Sequence, residues 1–144
     1  DFLNYSATAV MTDTNRALVS EVGFWRLARP RSAADAGPGL LPATAEAVVR
    51  TVDDVEALRQ TSGGFEIEVN LVHSDGVSEL YLGEVNGPRI EIATDAVVRG
   101  ASAVPYGAAT RMYGLVEGSL MYAVDKAAGG HPLQSFLWGK LARV

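Results

Sequence analysis

Hydrophobic and polar residues alternate with period two along most of the chain. The stretch from Glu66 to His73 alternates almost without fault, which is typical of a half-buried β-strand. The pattern predicts eight strands, over residues 2–11, 18–28, 66–73, 77–85, 89–94, 111–117, 120–124 and 133–144. Short strands that follow one another through tight turns indicate an all-β chain, either an up-and-down antiparallel barrel or a sandwich.

The segment from Pro30 to Gly64 breaks this rhythm. It is rich in alanine and holds three of the six prolines, at positions 30, 38 and 42. Thr44 is a suitable cap for a short helix in which Val48, Val52, Val55 and Leu58 would share one face. We therefore predict a single domain over residues 1–144 with an insertion at about 30–64, which would form a mobile flap carrying one amphipathic helix.

Composition excludes several classes of function. The 144 residues suit one domain, and the net charge of −5 argues against a nucleic-acid partner. The chain has no cysteine, so it has no disulfide, no thiolate zinc site and no cysteine nucleophile. No apolar run approaches the roughly 18–20 residues that span a bilayer, so we expect no membrane partner. These features predict a soluble, cytoplasmic protein, and they leave open whether it forms a homodimer.

Residues that could carry out catalysis are scarce. The two histidines, His73 and His131, both lie beside turns, where exposed structural roles are expected over catalysis or metal binding. Neither a nucleophile elbow nor a phosphate-binding glycine loop is present in the sequence. The sequence therefore favours a binding protein over an enzyme.

Two strands carry candidate ligand contacts. Arg111 and Tyr113 are two positions apart and share a face, where they could hold a carboxylate if that face is interior; an outward-facing pair is the alternative. On the last strand, Phe136 and Trp138 share a face with Lys140. Either face of that strand could be interior, and an aromatic pair inside a barrel is core more often than a ligand platform.

Four segments, in order, resemble the nitrobindins, a family of small barrels similar to the lipocalins and fatty-acid-binding proteins. They are Phe2–Tyr5, Gly23–Arg26, the hairpin Leu71–Leu80 and the closing stretch Pro132–Arg143. The resemblance implies an up-and-down antiparallel β-barrel. The family's first-strand Gly-x-Trp-x-Gly-x-Gly signature is absent, so we expect an N-terminal strand that this chain does not include.

The resemblance also implies a function. Haem-binding members of the family hold ferric haem b through a histidine on the closing strand, bind nitric oxide and isomerise peroxynitrite. The matching position here is Phe136, whose phenyl ring cannot donate a lone pair to iron. If the closing strand is oriented as in the family, Phe136 and Trp138 face the cavity.

We therefore expect a nitrobindin-like protein that lacks haem and binds a small apolar or carboxylate-bearing ligand, with Arg111, Tyr113, Phe136 and Trp138 as its contacts. One alternative is a haem protein that uses His73 or His131 and acts on nitric oxide or peroxynitrite. The other is a filled barrel that acts as an interaction module.

Overall fold

Eight β-strands follow one another in chain order, and each pairs antiparallel with its neighbours. The computed structural model describes residues 2–37 and 41–143; Pro38 of the predicted flap and Val144 of the predicted last strand lie outside these ranges. The elements are β1 (Leu3–Val10), β2 (Ala17–Leu27), α1 (Val52–Glu56), β3 (Phe65–His73), β4 (Val77–Asn86), β5 (Arg89–Arg99), β6 (Tyr106–Val116), β7 (Ser119–Ala128) and β8 (Gln134–Leu141). This single up-and-down sheet confirms the barrel-type fold over the sandwich.

The sheet curls into a half-barrel whose concave face holds the core. Among the described residues β1 and β8 do not pair with each other, so they form the two edges of the sheet. β3 shows how alternation builds the core, because Ile67, Val69 and Leu71 are buried on its inner face. Glu66, just before Ile67, and Asn70, between Val69 and Leu71, are exposed on the outer face. The concave side of this curl is where a ligand site is expected.

Glycines allow the tight turns between strands. Gly76 and Gly87 have φ angles of +87° and +57°, in the left-handed region that other residues rarely adopt. They close the β3–β4 and β4–β5 hairpins at the Asp-Gly and Asn-Gly pairs that the sequence indicates.

The insertion between β2 and β3 differs from its prediction. Its helix, α1, has only five residues and is capped by Thr51, whose side chain accepts a hydrogen bond from the backbone N–H of Asp54. Thr44 was the wrong cap, because its hydroxyl donates instead to the carbonyl of Ala33. In the described parts of the chain, no helix is long and apolar enough to cross a membrane.

A β-bulge interrupts the pairing of β7 with β8. Val124 pairs with Leu137 and Asp125 pairs with Ser135, which leaves Phe136 as an extra residue without a partner on β7. A bulge of this kind shifts the alternation by one residue. The side chains on its two sides therefore do not follow the simple period-two pattern.

Candidate functional site

A group of hydrogen-bonded polar side chains lies inside the half-barrel. It joins five strands, and we call it the buried polar network; its members are Tyr5, Glu21, His73, Glu79, Tyr81, Tyr106 and Arg111. Each member occupies an inward position in the alternation of its strand. The interior of this barrel is therefore partly ionic.

Arg111 is the cation of this network, and its exposed fraction is only 5%. Its two terminal nitrogens donate to the two carboxylate oxygens of Glu21, both over 2.8 Å. Its Nε donates to the hydroxyl of Tyr81 over 3.0 Å. Such a bidentate pair is the strongest geometry available to a guanidinium, and it leaves little capacity for another anion.

Glu79 is the second carboxylate, and its side chain is fully buried. One of its oxygens accepts from Tyr81 over 2.8 Å and also from Tyr106, while the other contacts Nε2 of His73. Arg111 Nη2 also donates to Glu79, over 3.3 Å. Several donors thus surround a charge that would be costly to bury alone.

These contacts change the acidity of both carboxyls. Burial by itself would raise the pKa of Glu79, but hydrogen bonds from His73, Tyr106 and Tyr81 outweigh it and lower the pKa to about 2. Burial likewise acts to raise the pKa of Glu21, and hydrogen bonds from Arg111 outweigh it, so that this pKa is also lowered. Both groups are therefore carboxylates at neutral pH.

His73 was expected to be exposed beside its turn, and this is wrong. It is 6% exposed, because the last residue of β3 still points inward. Its Nε2 contacts Glu79, and its Nδ1 lies 3.5 Å from Glu21 Oε2. Both ring nitrogens therefore face carboxylate oxygens. His131, in contrast, is exposed in the turn that precedes β8.

A cavity of about 230 Å³ lies beside the buried polar network, between β1, β2 and the strands β6 to β8. Its walls are mostly apolar and include Ala7, Ala9, Val19, Val124, Leu137 and Leu141. Ionisable side chains also line it, namely Glu21, His73 and Arg111 of the buried polar network and, separately, Lys126. An apolar cavity with a few converging polar groups is the usual form of a small-molecule site.

Two clefts of about 490 and 380 Å³ lie elsewhere, where the insertion meets β2 and β3. Three of the arginines that line them are in ion pairs: Arg26 with Glu68, Arg29 with Asp35 and Arg59 with Glu56. Arg31 donates to the backbone carbonyl of Ala36. No described residue of the insertion lines the cavity between β1 and β8, so the described part of the insertion does not form a wall of that cavity. We therefore take the interior cavity as the candidate site.

Arg111 and Tyr113 both lie in the interior, as the first of the two sequence interpretations requires. The guanidinium of Arg111, however, is held by Glu21. Tyr113 lies in an aromatic cluster, where its ring centroid is 5.5 Å from that of Trp25 and 6.2 Å from that of Tyr122. The structure brings both residues to the cavity wall, while their role as ligand contacts stays a prediction.

Phe136 and Trp138 do not share a face, contrary to expectation. Phe136 borders the cavity, with 59% of the residue exposed, because the bulge turns it inward next to Leu137. Trp138 pairs with Ala123 on the outer face and is 76% exposed. Trp138 therefore does not line the cavity.

Among the described residues, the cavity wall holds no histidine that is free to bind haem iron. Phe136 has no lone pair, and both nitrogens of His73 already face carboxylates. Within residues 2–37 and 41–143, no other histidine and no methionine lines the cavity, and the chain has no cysteine. The remaining oxygen donors of its wall, apart from Thr8 and the carboxylate of Glu21, are the hydroxyls of Tyr5, Tyr113 and Tyr122.

Most residues of the site were not predicted from the sequence. Tyr5, Glu21, Glu79 and Tyr106 lie on four different strands and come together through strand pairing and the curl of the sheet, not through one local motif. Lys126 was missed as well. Lys126 lies on β7 two positions beyond the end of the predicted strand at Val124, so the alternation pattern gave no signal for its inward position.

Comparisons with known proteins agree with this architecture. Residues 1–143 match a family model described as "THAP4-like, heme-binding beta-barrel domain". The chain is 52% identical over 144 residues to a peroxynitrite isomerase of Leifsonia xyli subsp. xyli, with 99% of this chain and 73% of that protein covered. It is 49% identical to a peroxynitrite isomerase of Clavibacter michiganensis subsp. michiganensis, with 99% and 72% covered.

A solved structure shows the same fold. Rv2717c from M. tuberculosis matches with a TM-score of 0.67 and 23% sequence identity, over 99% of this chain and 72% of that one. At 23% identity, this similarity shows a shared arrangement of strands and nothing about function.

Proposed function

This chain belongs to the THAP4-like, haem-binding β-barrel family, the nitrobindins, and we propose that it keeps the family's barrel but binds a small, largely apolar molecule in place of haem. The observation that carries this proposal is Phe136, which borders the cavity at the position where the resemblance places the family's haem ligand. A phenyl ring offers iron nothing to bind and adds apolar surface to the opening of the cavity.

The remaining histidines do not replace that ligand. Moving His73 onto iron would break its contact with Glu79 and leave a fully buried carboxylate without one of its partners. His131 does not line the cavity. The proposal therefore includes the loss of haem and, with it, of the isomerase activity for which the relatives are named.

The size and walls of the cavity support a small apolar ligand. Its volume of about 230 Å³ is below the roughly 300–1,000 Å³ that is typical for drug-sized molecules. An open volume of this size also argues against the filled barrel that the interaction-module alternative requires. Because Arg111 is paired with Glu21, a ligand carboxylate would have to displace Glu21 to reach it.

A haem titration of the full chain tests the proposal. Haemin would be added to the protein and to the Phe136→His and Phe136→Leu variants, and the Soret band would be followed. We expect a saturable shift only for Phe136→His, since this variant restores a nitrogen donor at the same position. If Phe136→His gains no shift either, then Phe136 is not the cause of the loss of haem.

The second candidate is a haem protein that acts on peroxynitrite, and the names of the close relatives favour it. It predicts a saturable one-to-one Soret shift in the unmodified protein. That shift would disappear in His131→Ala or in His73→Ala, depending on which histidine binds iron. Such a result would overturn the apolar-ligand proposal.

A further inference from the structure

Lys126 lines the cavity but is not part of the buried polar network. Its ammonium nitrogen lies 5.0 Å from the ring centroid of Tyr106 and 4.9 Å from that of Phe136. The two rings belong to β6 and β8, the neighbours of β7 on either side. Cation–π contacts of this kind hold an ammonium in place without neutralising its charge.

The carboxylates near the cavity are committed to other groups. Glu21 uses both of its oxygens for Arg111, and Glu79 uses its own for His73 and two tyrosines. In the part of the chain that the structure describes, no carboxylate forms an ion pair with Lys126. Lys126 thus presents its ammonium group, without a carboxylate partner among the described residues, to a cavity whose walls are mostly apolar.

We propose that Lys126 is the anchor for a negatively charged head group, and that the ligand is a small apolar monocarboxylate. This inference rests on the proposed function, because it assigns chemistry to the molecule in the same cavity. An ammonium group on a mostly apolar wall is best matched by a ligand that has one anionic group and an apolar remainder, because the anion pairs with the ammonium and the remainder contacts the walls. The alkyl part of such a ligand would contact Val124, Leu137 and Leu141.

This proposal assigns the ligand carboxylate to Lys126 and not to Arg111, the contact that the sequence predicted. A carboxylate bound to Arg111 would leave the partly buried Glu21 without its partner, whereas a carboxylate bound to Lys126 displaces no existing ion pair. The position of Lys126 between two aromatic rings also restricts where the head group can lie. The alkyl chain would then extend away from these rings into the cavity.

The test compares hexanoate with hexan-1-ol, which have the same number of carbon atoms and differ in charge. Binding to the full chain would be followed at pH 7 by NMR chemical-shift titration. The variants are Lys126→Met, which keeps the length of the side chain and removes the charge, and Lys140→Met. Lys140 is the other lysine of the chain and is exposed on β8, so it is a matched control.

We expect Lys126→Met to weaken hexanoate binding about tenfold or more, since a charge-assisted contact is lost. Lys140→Met should bind hexanoate like the unmodified protein, and hexan-1-ol should bind all three proteins equally. Lys126→Arg keeps the positive charge and should retain most of the affinity for hexanoate. This variant provides a second comparison if Lys126→Met does not fold.

Other outcomes separate the two proposals. Equal hexanoate affinity with and without Lys126 overturns the anchor, and so does binding of hexan-1-ol alone; both results leave an apolar ligand site in place. If neither compound binds the unmodified protein at millimolar concentration, the proposed function fails and the anchor fails with it.

Discussion

The guanidinium of Arg111 binds both carboxylate oxygens of Glu21, with two N–O distances of 2.8 Å. The two residues are on β6 and β2, which are not neighbours in the sheet, so their side chains meet across the inside of the curl. The pair therefore depends on the curvature of the sheet as much as on the two residues themselves.

Replacing Arg111 should strongly destabilise the fold. Arg111→Met leaves Glu21 and Glu79 buried without their cation, and removal of one partner from a buried pair costs about 3–5 kcal/mol. Arg26→Met is the control: Arg26 pairs with Glu68 but is 58% exposed, so we expect a loss of at most about 1 kcal/mol. Urea unfolding measures both, and equal losses would show that the buried pair does not form.

A second substitution should recover part of that loss. In the double variant Glu21→Gln with Arg111→Met, the unpaired charge of Glu21 is removed along with its partner, so the double variant should be more stable than Arg111→Met alone. If the two losses simply add, the two side chains do not interact.

Stability should decrease in acid as Glu79 is protonated. The pKa of Glu79 is lowered from 4.5 to about 2 on folding, so its contribution is complete above the unfolded-state value of 4.5 and is lost as pH falls towards 2. Urea unfolding between pH 7 and pH 2 should show this decrease. In Glu79→Gln the decrease should be smaller, while Glu91→Gln, a change at an exposed site, should keep it. An unchanged decrease in Glu79→Gln would contradict this assignment.

Gly139 should not tolerate a side chain. A Cβ at this position would lie 2.7 Å from the ring of Tyr122, which stacks on Tyr113. We expect Gly139→Ala to cost about 1–3 kcal/mol through overpacking. Gly114→Ala is the matched change on β6, where a Cβ meets nothing within 4 Å, and it should be close to neutral. Thermal unfolding compares the two, and equal melting temperatures would show that Tyr122 moves aside without cost.

The two tryptophans should differ in fluorescence. Trp25 packs against Tyr5 and Tyr113, at 5.9 and 5.5 Å between ring centroids, whereas Trp138 is 76% exposed. In Trp25→Phe the remaining emission should be red-shifted and readily quenched by acrylamide. In Trp138→Phe it should be blue-shifted and resistant to quenching. The opposite result would mean that Trp138 faces the interior.

The order of strands could be predicted from the sequence, because alternation and turn residues are local signals. The ends of strands were less predictable. β6 begins at Tyr106, five residues before the predicted start at Arg111, because the small residues between them give only a weak alternation. The helix of the insertion was misplaced for a related reason: Thr44 and Thr51 are both acceptable caps, and only the second is followed by Asp54 in a closed capping box.

The candidate site was less predictable than the fold. A period of two places Phe136 and Trp138 on one face, and this holds only while pairing continues without interruption. The bulge opposite Asp125 adds one residue and separates them, and nothing in the sequence marks it. The partners of Arg111 were hidden in the same way, since Glu21 is 90 positions away in the sequence.

The buried polar network has a consequence for how the protein unfolds. In the described sheet each strand pairs only with its sequence neighbours, so an end hairpin could detach while the other strands persist. Detaching β2 would remove Glu21 from Arg111 and leave a cation inside a partly folded structure, where it has lost its main counter-charge. Such intermediates carry an electrostatic penalty that both the native and the fully unfolded chain avoid. The network thus makes unfolding cooperative, so that strands that are not paired in the sheet are lost together.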